Sequence, residues 1–134
     1  MHSRHEGIVI TWKIDLNEAH YVEVFVWDSV EHLRAANQQE DINGYCNGNW
    51  ISKRVKGKLI TLAGKKFGEI HLVRSLIGVG MVAHELMHLV NYWTDFCHWT
   101  YWENDEDIAQ VMEAVTRDFW NRFYEAFPAE VNHA

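Results

Sequence analysis

The chain has 134 residues, a formal net charge of −7 and an apolar share of 48%. That length suits one domain, residues 1–134, with a sizeable buried core, and seven tryptophans exclude a disordered chain. The surplus of 19 acidic over 12 basic residues argues against nucleic acid or an anionic membrane as the main partner.

The N-terminal MHSRHEGIVITWKID has no apolar run ahead of a small-residue cleavage site, so no secretory signal is expected. Ile8, Ile10, Trp12 and Ile14 alternate with Val9, Thr11 and Lys13, the period of a strand. Residues 21–27 form a second strand, with Val22, Val24 and Val26 on one face. Asp28-Ser29 is an N-cap signal, and Val30, Leu33 and Ala36 follow at helical spacing. Residues 38–49 hold Gly44, Gly48 and three asparagines and read as a loop.

Residues 50–55 and 58–63 are expected to pair as a hairpin turning at Lys56-Gly57. Gly64-Lys65-Lys66 reads as the next turn, and residues 67–73 as another short strand. From Ser75 the pattern becomes helical, with Val82, Leu86, Leu89, Val90 and Trp93 as a buried stripe. Gly78 and Gly80 sit early in this helix, where each costs about 1 kcal/mol relative to Ala, so a close neighbour is expected there. An aromatic connector, residues 91–102, leads to a last helix starting near Asn104-Asp105. Its apolar face is Ile108, Val111, Met112, Val115, Phe119, Trp120 and Phe123, and Pro128 ends it. The expected class is α+β: a small, mostly antiparallel sheet packed on two helices.

The chemistry concentrates in MVAHELMHLV, residues 81–90. Residues four apart on a helix project from the same side, so His84 and His88 can offer two imidazoles to one ion. Glu85, turned by about 100° from His84, does not ligate but can reach a water held there. This HExxH arrangement provides two zinc ligands and a general base. Chance produces it about once in 20 chains of this composition, and roughly once in 1,000 when Val82, Leu86, Met87, Leu89 and Val90 must all be apolar. The competing reading is a core helix with two satisfied histidines. It leaves Glu85 beside them with no Lys or Arg on that helix.

A catalytic zinc takes a third protein ligand and keeps one open position. Glu106 is the favoured candidate, in the first turn of the last helix and three residues before the small Ala109; His98, Glu103 and Asp105 are the alternatives. The acidic cluster also has a plain explanation, since carboxylates favour helix N-termini.

GMVAHELMHLV followed by NDEDIAQVMEAV resembles the zincin metallopeptidases of the glutamate-ligand kind. The likeness is to short versions from phages and mobile elements, including ImmA/IrrE-type peptidases. It covers about residues 67–120 and implies a Zn²⁺ held by His84, His88 and Glu106, with Glu85 as the base. Asn91 and Thr94 occupy the glycine and third-histidine positions of HExxHxxGxxH, which removes the metzincin pattern. No helix-turn-helix segment is visible. The resemblance also implies a strand before the active helix that pairs with extended substrate, here residues 67–72, through Gly68, Glu69, Ile70 and His71; an ordinary edge strand is the equal alternative. Tyr92, His98 and Tyr101 are candidate oxyanion donors. Trp93, Phe96, Trp99 and Trp102 line an apolar pocket or, more simply, belong to the core.

The expected function is zinc-dependent hydrolysis of a protein or peptide. Its rival is a non-catalytic, metal-stabilised protein that grips a partner. Cys46 and Cys97 form no CxxC pair and are expected as free thiols in a reducing, cytoplasmic setting. The longest apolar stretch, residues 76–83, is too short to span a bilayer.

Overall fold

The computed structural model describes residues 6–128. Residues 1–5, which carry part of the N-terminal reading above, lie outside it. The elements are β1 (Ile8–Asp15), β2 (Tyr21–Trp27), α1 (Val30–Asn37), β3 (Gly44–Val55), β4 (Lys58–Val73), α2 (Val79–Phe96) and α3 (Asp105–Ala126). A single 3-10 turn, Arg74–Leu76, joins β4 to α2.

The four strands make one sheet in the order β1-β2-β4-β3. The pairs β1–β2 and β3–β4 are antiparallel, while β2–β4 is parallel. The class is α+β, as the periodicities indicate.

Alternation along β2 divides the interior. Val22, Val24 and Val26 face one way, with Ile70 and Leu72 of β4 beside them. They pack under Val82, Leu86, Leu89, Val90 and Trp93 of α2 and Ile108, Val115, Phe119 and Phe123 of α3. Phe25 and Trp27 face the other way and meet Leu33 of α1 and Val73. The helix α1 starts at Ser29, whose hydroxyl accepts from His32 N at 3.1 Å.

Two strand boundaries differ from expectation. β4 runs unbroken from Lys58 to Val73, so Gly64-Lys65-Lys66 is not a turn. The pairing with β2 instead skips Phe67, between Tyr21↔Lys66 and Val22↔Gly68. That bulge swings Phe67 onto the helical face, where its ring meets Trp93 at 5.1 Å and Phe96 at 5.3 Å. β3 begins at Gly44, inside the expected loop. Its glycines serve close packing rather than turning. A methyl group at Gly48 would lie 3.1 Å from Tyr92 Cβ, and one at Gly44 would lie 3.7 Å from Met81 Sδ, so α2 runs along β3 from Met81 toward Tyr92.

The neighbour expected at Gly78 and Gly80 is not found. Gly78 is the extended N-cap of α2, and a methyl group at either glycine would meet open space. Among the described residues, no helix is long and apolar enough to cross a membrane.

Candidate metal centre on the outer face of α2

The stripe that buries α2 leaves His84, Met87 and His88 outside, while Glu85 turns inward to 4% exposure. One helical turn brings the imidazoles together: His84 Nε2 and His88 Nε2 are 3.2 Å apart, and the rings meet edge to face at 4.8 Å. Two imidazoles binding one zinc at about 2.0–2.1 Å and a near-tetrahedral angle have this nitrogen separation. Glu85 Oε1 lies 3.7 Å from His84 Nε2. The donor atoms of His84, Glu85 and His88 all fall within 4.8 Å of one another, and they form the one such group among the described residues.

Glu85 is the unusual member. Its Oε2 is buried without a hydrogen-bond partner among the described residues. Burial pushes its carboxyl above the ordinary range, and the neighbouring His84 and His88 offset this only in part. A buried carboxylate oxygen with nothing to bind needs a reason, and a cation on the two imidazoles supplies one. The donor set suits a borderline ion such as zinc. A cleft of about 400 Å³ opens over these side chains, lined by Asn43, Gly44, Gly80, Met81, His84 and Glu85.

The thiol of Cys46, on β3, is held firmly protonated, first by burial and then by the charge of Glu85. It is therefore a poor ligand as it stands. Burial pushes the Cys97 thiol up to about 11. Both cysteines are free.

Glu106 stands outside the cluster. It is exposed in the first turn of α3, where Gln110 Nε2 donates to its Oε1 at 3.4 Å. Ala109 is exposed too, so it does not mediate close approach of the two helices. Glu103 and Asp105 are exposed on the same corner. His98, in a left-handed conformation (φ 60°) beyond the end of α2, is 3.3 Å from Thr61 Oγ1 through its Nε2.

The expected substrate strand is overturned. Gly68, Glu69, Ile70 and His71 lie in β4, an interior strand paired to β2 on one side and β3 on the other. No free edge remains there for an added strand. His71 is wholly buried, stacked between Phe25 at 4.5 Å and Tyr45 at 4.3 Å. Trp27 Nε1–H donates to its Nδ1 at 2.9 Å, so the ring proton sits on Nε2, facing Glu69 Oε1 at 2.8 Å. Glu69 in turn accepts from Lys66 Nζ at 2.6 Å. These residues make a buried polar network on the α1 side of the sheet. The free edge beside α2 belongs to β3, which the glycine-rich composition of residues 44–48 concealed.

Of the candidate donors, Tyr92 stacks on His88 with ring centres 6.3 Å apart. Tyr101 is half exposed, and its hydroxyl donates to Asn91 Oδ1, three residues beyond His88. In the aromatic cluster, Trp93 is core, Phe96 and Trp99 pack against it, and Trp102 is 79% exposed.

Comparison with protein families, curated proteins and solved structures finds no match to this chain.

Proposed function

We propose that the chain is a zinc-dependent hydrolase of peptide bonds, with His84 and His88 holding the ion and Glu85 as general base. The observation that carries this reading is the pair of imidazole nitrogens 3.2 Å apart beside a buried carboxylate whose Oε2 has no partner. Zinc, when bound, polarises a carbonyl and brings the pKa of water toward about 7. Glu85 Oε1, on the side of His84, takes a proton from the attacking water and returns it to the leaving amine. Its raised pKa brings it nearer the working range of a base that must both accept and release a proton. Asn43 and Gly44, at the start of β3, border the cleft, and the free edge of that strand offers backbone groups to an extended peptide. Tyr92, stacked on His88, and Tyr101, bonded to Asn91, are the candidates to steady the developing oxyanion. The resemblance assigns Glu106 to the third ligand position, and to serve there its carboxylate has to leave Gln110.

The test is a single substitution. Glu85→Gln should keep stoichiometric zinc, measured by elemental analysis, and lower peptide cleavage by about 10²–10⁴-fold. Undiminished cleavage by this variant overturns the assigned base. The exposure of Glu106 favours a second reading, a metal-holding protein that grips a partner without cutting it. Zinc-loaded protein screened against denatured peptides separates the two: cleavage supports hydrolysis, and tight binding without cleavage supports the partner role.

A further inference from the structure

Beyond the body of the sheet, β3 and β4 continue as a two-stranded arm, paired from Trp50↔Ala63 to Val55↔Lys58. A two-stranded ribbon gains little from its own pairing, and its side chains are normally buried against something else. Directly paired residues share a face, as do residues two apart on one strand. One face of the arm therefore carries Ile51, Leu62, Ile60 and Val55, with Lys53 and Lys58 among them. Ile51 is 62% exposed, and Val55, Leu59 and Leu62 are exposed as well. At the base of the arm, Asn49, Trp50, Ile51, Leu62, Ala63 and Gly64 line an open groove of about 490 Å³.

The charge of this segment is opposite to that of the molecule. Residues 50–66 hold six of the 12 Lys and Arg residues and none of the 19 Asp and Glu, which leaves a net charge of −13 on the rest of the chain. No ion pair among the described residues engages Lys53, Arg54, Lys56 or Lys58. Lysines on an edge strand can serve only to discourage edge-to-edge pairing. That role does not account for a row of exposed Ile, Val and Leu side chains on the same ribbon.

We propose that this arm docks an acidic, partly apolar, extended segment of a protein partner. The apolar ridge and the groove receive its hydrophobic side chains, and Lys53 and Lys58 on the same face, with Lys56 at the turn, meet its carboxylates. Charge complementarity selects that class. A polynucleotide would bring phosphates against the strongly acidic body and would leave the apolar ridge uncovered, whereas a peptide along the arm avoids both.

The experiment measures binding, so its outcome is separate from any hydrolysis at Glu85. Fluorescence anisotropy on the full chain uses three probes: a peptide alternating Glu with Val and Leu, the same peptide with Lys for Glu, and a single-stranded DNA oligonucleotide. The Glu peptide should bind, more weakly at high salt. Lys53→Glu/Lys58→Glu and, separately, Ile51→Ser/Leu62→Ser should each weaken it by about tenfold, with far-UV circular dichroism unchanged. Equal binding by the charge-reversed variant, equal or tighter binding of the Lys peptide or the DNA, or no binding of the Glu peptide at low salt would each overturn the proposal.

Discussion

At the scale of single residues, Glu85 holds the clearest tension in the molecule. A buried carboxylate with an unsatisfied oxygen costs about 1–3 kcal/mol when nothing compensates it. Its folded-state pKa is raised above the ordinary 4.5. The folded state therefore binds this proton more tightly than the unfolded state does. The associated stability is present below pH 4.5 and is lost as pH rises through the raised value. In chelator-treated protein, Glu85→Gln should raise stability by about 1 kcal/mol at pH 7 and leave it unchanged near pH 4. Thermal melts at the two pH values check this, and equal melting of the two proteins at pH 7 would refute the cost assigned to Glu85. The trio was legible because its geometry is local: a spacing of four on a helix already aligns two side chains. Glu106 was not legible in that way, because contact between separate helices depends on tertiary packing that spacing does not encode. His71 shows the same limit. The sequence places it on a strand expected to pair with substrate, yet stacking rings and the Trp27 N–H make it part of the interior.

At the scale of elements, the helices follow their 3.6-residue apolar stripes, and the strands with clean alternation fall where expected. What escaped was the role of glycine in the long hairpin. Gly68 sits where β4 meets the bulged part of β3, and a methyl group there would lie 2.0 Å from the Asn47 carbonyl oxygen. Asn47 also accepts from Glu69 N through its side-chain Oδ1, at 3.0 Å, so this stretch of β3 has little freedom to retreat. Gly64 lies in the same strand, with nothing within 4 Å of the equivalent position and no left-handed conformation. Sequence alone marks Gly64 as a turn former and Gly68 as an ordinary strand residue, and only the approach of a neighbouring backbone shows which of the two positions requires glycine. Gly68→Ala should therefore destabilise the fold by about 3 kcal/mol, while Gly64→Ala should be neutral or slightly stabilising. Urea denaturation of both variants is the check. Equal stability in the pair would mean that the two strands do not meet as closely as described.

At the scale of the whole molecule, the question is whether the ion holds the fold together or is held by it. The larger core joins Trp12 and Ile14 of β1, the valines of β2, Ile70 and Leu72 of β4, and the inner faces of α2 and α3. The second, under α1, is built on Phe25, Trp27 and Leu33. Neither contains His84 or His88, which project from the exposed side of α2. Losing the ion removes no side chain from either core, in contrast to small zinc modules that have no core without metal. The chelated protein should keep its far-UV circular dichroism and a cooperative melt. Returning zinc at a hundredfold excess over its Kd should add about 3 kcal/mol, by binding to the folded state alone. His84→Ala should abolish that gain and leave the chelated protein's own melting temperature within a few degrees of wild type, as expected for an exposed side chain. A chain that unfolds on chelation would mean that the sheet and its two cores cannot stand without the metal, and the ion would then have to be assigned a structural role.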